Sequence, residues 1–482
     1  MSNDKVVQKS VGWSFFAEIA AKFVTPVTNM ILARLLVPED FGVLAICNML
    51  VSFADIITDA GFAKFLIQRD FQDDFIKSKY ACVAFWTNFI LSVVVVFLIF
   101  CFRIDIAELL GNADYAFVIC IASTQLVITS ISSIQMGLFR RAFNYKQLFV
   151  IRMTVVFVPL LITIPLAYYT RSYWSLVIGS LAGALANSVM LTSMSSWRPY
   201  FYYSFALLKD MFSYSFWSLC EGLGNWFIFW IDTFILASNY TDYYLGIYKN
   251  SSNIVMSIMG MVSAAISPVL LSVLSRLKGR KEDFYSVFLD IFKIMSYVTI
   301  PMGAVLFFFR DVVTYILLGS QWGEAANVVG AWGLMLTCSI IFYTFTAELY
   351  KSTGIPKILF LFQFTYLIFL IPVCIYAVRM GFWEFVYIRC LCVLEQVAMS
   401  LIFLKIFYKI SAKGLLRSLV NPVIASLTIA VMGCVNYQFY EGSIGINFLL
   451  LIGSICAYAV FVVLVFRNDL MMAKDRIQKI KI

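Results

Sequence analysis

The sequence predicts an all-α polytopic membrane protein: about 14 transmembrane helices, in two pseudo-symmetric six-helix lobes around a central cavity, plus a C-terminal helix pair. Three observations predict it. Of 482 residues, 62% are hydrophobic and only 13% charged, where soluble domains carry about half and about a quarter. Apolar stretches of membrane-crossing length, about 20 residues, recur from end to end. The pattern of residues 12–194 also repeats in 211–406.

In chain order the spans fall at 12–36, 42–66, 80–102, 115–138, 149–169, 173–194, 211–237, 244–273, 287–309, 325–348, 358–378, 382–406, 417–437 and 445–466. The first two are joined by a very short turn, Val37-Pro38-Glu39-Asp40-Phe41-Gly42, and spans five and six by Tyr168-Tyr169-Thr170-Arg171-Ser172. No connection has room for a soluble domain. The expected organisation is an N-terminal lobe over 1–200, a second lobe over 201–410, and over 411–482 an added helix pair with a basic tail.

Charge placement sets the orientation. With the N-terminus in the cytoplasm and sides alternating, the inner segments collect 26 of the 36 Lys and Arg residues, among them Arg69, Lys77, Arg140, Arg141, Lys209, Arg276, Lys351 and Lys409. The outer segments hold Arg34, Arg103, Arg171, Arg310 and Arg379. Basic residues mark cytoplasmic loops, and one miscounted span would scramble the alternation beyond it. Both termini are therefore expected inside. The N-terminus, MSNDKVVQKS, reads as a short polar lead into a full span, not as a cleaved signal.

The same placement argues against nucleic acid as the partner of the +9 net charge. The eleven cysteines are scattered through apolar spans without a C-x-x-C, and histidine is absent. The usual ligand sets for zinc and haem are missing, so neither metal nor cofactor is expected.

The repeat is visible at residue level. Trp13-Ser14 faces Trp217-Ser218, Glu18 faces Glu221, Ile31-Leu32 faces Phe234-Ile235, and Phe41-Gly42 faces Leu245-Gly246. Both halves start on the same side, as parallel repeats do in some transporters. Each leading hairpin carries charge within its spans. Glu18, Lys22 and Asn29 lie near one face of span 1, and Asn48, Ser52, Asp55 and Asp59 step along one face of span 2. Ser218, Glu221, Asn225 and Asp232 mark span 7; Lys249, Asn250, Asn253 and Ser257 mark span 8.

Intramembrane charges usually face a bundle interior or a wet path. The candidates for a substrate or ion cavity are therefore Glu18, Lys22, Asn29, Asp55, Asp59, Glu221, Asn225, Lys249, Asn253 and, in span 12, Arg389. Bland readings stand beside them. Glu18–Lys22 also fits a self-neutralising i,i+4 pair, Asp232 a headgroup contact, and Lys64 a snorkelling lysine. Pro26, Pro159, Pro165, Pro268 and Pro301 fall in or beside spans, where they kink helices, as bending points or as static shape.

The opening hairpin resembles a known family. Gly12-Trp13-Ser14, the run Ile31-Leu32-Ala33-Arg34-Leu35-Leu36-Val37-Pro38-Glu39-Asp40-Phe41-Gly42, then Asp59-Ala60-Gly61-Phe62 and Leu66-Ile67-Gln68-Arg69 resemble the start of Wzx-type polysaccharide flippases. The likeness is to the lipopolysaccharide, colanic acid and teichuronic acid exporters of the MOP superfamily. Asp232-Thr233-Phe234-Ile235-Leu236 through Leu245-Gly246-Ile247-Tyr248 resembles the second-half counterpart. The resemblance implies two six-helix lobes, alternating access, and a cargo of undecaprenyl-pyrophosphate-linked oligosaccharide in the bacterial cytoplasmic (inner) membrane. It implies a cationic cavity, for which Lys22, Lys249 and Arg389 are candidates. The carboxylates make this one mixed and leave room for ion coupling. A polysaccharide polymerase and glycosyltransferases are the expected working partners. The alternative is a MATE-like multidrug exporter. A membrane glycosyltransferase or polymerase would need a larger outer loop than any here, so no enzyme activity is expected.

Overall fold

In the computed structural model the described residues are 24–142, 144–276, 281–353, 357–438, 444–467 and 471. Their regular elements are all helical. The visible end of the first span is α1, residues 24–35. It is followed by α2 (Pro38–Asp59), α3 (Phe62–Gln68), α4 (Asp74–Cys101), α5 (Arg103–Leu109), α6 (Ala116–Arg141), α7 (Tyr145–Thr170), α8 (Trp174–Met194), α9 (Phe205–Ala237) and α10 (Asp242–Arg276). The rest are α11 (Lys281–Phe308), α12 (Arg310–Leu317), α13 (Ala325–Ser339), α14 (Phe345–Thr353), α15 (Lys357–Ala377), α16 (Phe382–Leu391), α17 (Val393–Tyr408), α18 (Ala412–Gln438) and α19 (Ile444–Val465). Among the described residues, twelve helices are long and apolar enough to cross a membrane. The expectation of about fourteen spans is compatible with this: most of the first span lies outside the described residues, and the predicted eighth, 244–273, is the 35-residue α10, which is long but not among these twelve.

The ends of these helices follow from local chemistry. Pro38 takes the first position of α2, where its missing N–H costs nothing, and the Asp40 carboxylate accepts the Val37 N–H at 3.2 Å. Asp73 caps α4 by accepting the Ile76 N–H at 2.6 Å, which starts the helix six residues before the predicted span at 80. The predicted span 42–66 is two helices. The chain turns left-handed at Ala60 (φ 44°) and Gly61 (φ 77°), and Ser218 Cβ lies 2.8 Å from where a side chain on Gly61 would begin. A residue with no Cβ is what this close approach of α9 requires.

Of the two prolines of α7, Pro159 is packed, its ring occupying the space of a side chain on Gly183 of α8, and Pro165 is exposed; Thr163 lies against Gly179.

The chain forms two compact units, 1–249 and 250–482. In the first, α2 packs on α4, α6 and α9, and α7 on α8. One buried cluster joins Phe62, Phe65, Leu66, Tyr80, Val83, Ile134 and Met211. In the second, α11 packs on α13 and α18, and α18 on α19. A single π-turn at 340–344 links α13 to α14; the Ser400 hydroxyl donates to its Phe342 carbonyl at 2.5 Å, which satisfies one acceptor freed by the irregular ladder. An apolar cavity of about 580 Å³ lies among α11, α12, α18 and α19, lined by Tyr297, Pro301, Val305, Ile429, Phe448 and Tyr458 among others.

Candidate functional site

Helices α2 and α3 run along a seam with α9, antiparallel and within the first unit. From one end to the other, Gly42 lies against the backbone of Asp242, and Ser52 accepts the Trp226 indole N–H at 3.0 Å. Phe53 and Trp226 rings meet at 4.8 Å, Ile56 lies against Gly222, and Gly61 against Ser218. Beyond the break, the Lys64 ammonium is 3.2 Å from the Glu221 carboxylate, and Arg69 pairs with Asp210.

At the Arg69 end the partners form a small network. The Tyr80 hydroxyl donates to Asp210 at 2.6 Å, and the Arg69 guanidinium lies 4.8 Å over the Tyr80 ring. The Tyr80 hydroxyl, then Arg69, hold the Asp210 carboxyl below the usual range. Arg141 of α6 donates to three carbonyls at the end of α3: Leu66 (2.9 Å), Ile67 (3.2 Å) and Arg69 (2.5 Å). This satisfies acceptors that a helix end leaves open.

At the Gly42 end the two repeat-related turns meet. A Cβ on Gly246 would overlap the Pro38 carbonyl and crowd the Gly42 nitrogen. Asp242 accepts from the Tyr115 hydroxyl, and the Ser238 hydroxyl donates to the Leu109 carbonyl at 3.0 Å. Asp40 is buried here.

Of the sequence-predicted candidates, Glu18 and Lys22 lie outside the described residues. Asn29 is half-buried in α1. Asp55 is exposed and accepts from Thr129 at 3.3 Å; Asp59 follows one turn on, half-buried. Glu221 is exposed beside Lys64, and Asn225 donates to the Glu221 carbonyl at 3.0 Å. Lys249 is buried; it donates to the Phe229 carbonyl at 3.0 Å and lies about 4 Å over the Phe229 and Trp230 rings. Asn253 is exposed on α10. Arg389 is buried in the second unit, donating to the Tyr366 hydroxyl at 3.1 Å and 5.6 Å over the Trp332 ring. Glu221 and Asn225 thus lie together on α9 beside Lys64, Asp55 is paired with Thr129 of α6, and Arg389 lies in the second unit.

Lys64, which the sequence offers as a snorkelling lysine, is half exposed and paired with Glu221 of α9; no sequence spacing links residues so far apart. Asp232, expected at the headgroups, is buried and accepts from Tyr248 at 2.8 Å.

The sequence profile described as polysaccharide biosynthesis protein matches residues 31–327. Succinoglycan biosynthesis transport protein ExoT of Rhizobium meliloti (strain 1021) is 25% identical over 363 residues, covering 74% of this chain and 72% of that one. Lipopolysaccharide biosynthesis protein WzxC of Escherichia coli (strain K12) is 21% identical over 350 residues, 71% and 67% of the two chains. Among solved structures, the lipid II flippase MurJ in an inward closed conformation matches with a TM-score of 0.74 at 15% identity, over 95% of this chain and 99% of that one. At that identity the likeness is one of fold.

Proposed function

The chain belongs to the polysaccharide biosynthesis protein family, and from that premise we propose that it flips undecaprenyl-pyrophosphate-linked oligosaccharide repeat units across the bacterial cytoplasmic membrane, by alternating access. The observation that carries this reading is the α2–α9 seam. It joins the two leading hairpins: α2 and α9, each long enough to span a bilayer, carry Asp55, Asp59 and Glu221, and Lys64 on the short α3 sits beside Glu221. Anchors have no use for such groups, whereas routes through a membrane do.

In this reading Lys22 and Lys64 meet the pyrophosphate, because Lys249 and Arg389 are already enclosed by aromatic rings and hydrogen-bonded. Asp55 and Asp59 are the groups that an ion would use for coupling. The apolar cavity of the second unit suits part of an isoprenoid chain, since its lining is almost wholly hydrocarbon. Both termini face the cytoplasm, and the product passes to a polymerase outside after glycosyltransferases have built it inside.

Deletion tests the proposal. It should trap lipid-linked repeat units on the cytoplasmic face and remove the surface glycan, and plasmid-borne protein should restore both. An intact glycan with raised drug sensitivity would instead select the multidrug-exporter reading.

A further inference from the structure

A second cavity lies in the first unit, where the carbonyl end of α9 meets the amide end of α10 and the α5–α6 connection closes over both. It measures about 370 Å³ and is lined by Asn112, Asn239, Tyr240, Thr241, Asp242 and Tyr244, with the backbone of Gly111 and Ala237. That size falls within the range of small-molecule sites, roughly 300–1,000 Å³. Gly111, Asn239 and Thr241 are exposed, so the cavity opens to the surface. Charge alternation assigns this end of the unit to the outside.

Its chemistry narrows the ligand. Among the described residues no Lys or Arg lines it, so they offer no counterion for a phosphate. Its one carboxylate, Asp242, already accepts from Tyr115, and hard divalent cations want six or more oxygen ligands. What it offers is a mixture of amide and hydroxyl donors, carbonyl and carboxylate acceptors, and two phenol rings whose centroids are 6.2 Å apart. Amide and hydroxyl side chains both give and take hydrogen bonds, and phenol rings add an apolar face with a polar edge. That combination fits a neutral pyranose: many hydroxyls, each donor and acceptor, on a ring with apolar faces.

The cavity is also built rather than incidental. Asn112 is held by accepting the Asp114 N–H at 2.9 Å. Asn239 is held by donating to Ile235 at 2.8 Å, and Gly111 is left-handed (φ 103°) where a Cβ would overlap the Ala237 carbonyl.

We infer that this cavity is an outer sugar-binding subsite for a neutral pyranose. The inference rests on the flippase reading for its cargo, and it adds a place where the glycan is held apart from the pyrophosphate. Two sources present such a sugar, the repeat unit being exported and finished polymer outside the cell.

The test uses full-length protein in lipid nanodiscs, with free glucose, galactose and N-acetylglucosamine as probes and calcium chloride and inorganic phosphate as controls. Thermal midpoints should rise with at least one sugar and with neither control. Tyr240→Leu with Tyr244→Leu should weaken that sugar about tenfold, and Thr241→Phe, at an exposed position, should do the same by filling the cavity. No response to any sugar, an equal response in the variants, or a response to calcium or phosphate instead would overturn the inference.

Proteoliposomes holding lipid-linked glycan but no polymer then separate the sources. Slower flipping by the variants assigns the exported unit, and unchanged flipping with lost sugar binding assigns the finished polymer. Wild-type protein that restores surface glycan to the deletion strain keeps the flippase reading intact whichever way the sugar experiment falls.

Discussion

At one end of the α2–α9 seam, Lys64 and Arg69 reach Glu221 and Asp210 through side chains that are 37–57% exposed. At the other end, Gly42 and Gly246 bring backbone against backbone with no side chain between. The N-terminal hairpin is therefore held in two ways, by side chains of the α3 segment against α9 at one end and by α2 backbone against α10 backbone at the other. Exposed ion pairs contribute little each, about 0–1 kcal/mol, and water or a charged ligand can replace them one at a time. Close-packed backbone has no such intermediate, because a close-packed interior resists partial deformation. The ion-paired end is thus the one a charged headgroup can loosen stepwise. The glycine end separates only if whole helices move.

Breaking the glycine end should cost most. Gly246→Ala must displace the Pro38 carbonyl, and overpacking of this kind costs about 1–3 kcal/mol, with Gly246→Leu beyond that. The thermal midpoint of detergent-purified protein should fall by several degrees for the first, and the second should leave little folded material. A Gly246→Ala protein as stable as wild type would mean that the turns are not in backbone contact.

Arg141→Met comes next. It strips three carbonyls at the end of α3 of their donor, and because water can take over at this part-buried helix end the net loss is about 0.5–1.5 kcal/mol, that of one ordinary hydrogen bond. Limited proteolysis should then cut first in the segment after Gln68. Cleavage elsewhere would remove Arg141 from the account of this end.

Asp210→Asn should do less, within about 1 kcal/mol, and its effect should depend on pH. The folded carboxyl is held below its ordinary value, mainly by Tyr80 and then Arg69. Such a group stabilises fully above the unfolded value, about 3.9. It loses that contribution as pH falls through the lower folded value. Wild type should therefore exceed Asp210→Asn by a constant margin from neutral pH to about 5, and the two should converge only in stronger acid. Convergence near neutrality would break the assignment.

The smallest effect on stability is expected for Lys64→Ala, about 0–1 kcal/mol, together with a clear loss of glycan export. The exchange Lys64→Glu with Glu221→Lys separates two roles. Restored export points to the pair as a fastener, and continued loss points to Lys64 meeting cargo. Full export by Lys64→Ala would remove this lysine from the route.

Much of this architecture was legible because the bilayer imposes a length and an apolarity that any span must meet. The sequence equates Phe41-Gly42 with Leu245-Gly246, and in the structure these two turns are neighbours. The break at Ala60-Gly61 was not legible, because its cause is Ser218, more than 150 residues away. Lys249 was read as cavity-lining because charge in a span suggests water. Its enclosure depends on Phe229 and Trp230, which in sequence look like any lipid-facing aromatics. Asp232 shows the same limit: only Tyr248, two turns into the next helix, reveals that it is buried.

The Arg69–Asp210 pair joins residues 141 apart, and this span has a consequence for biogenesis. Chains enter the membrane from the N-terminus at about 5–20 residues per second. The first six membrane helices are thus made before α9 exists, with one flank of α2 and α3 still waiting for its partner. For those seconds Lys64 and Arg69 have no carboxylate from α9, and Gly42 and Gly61 face no neighbour. The seventh span acts as the closing piece of the N-terminal half, so a nascent chain halted near residue 200 should be a preferred target for membrane quality control.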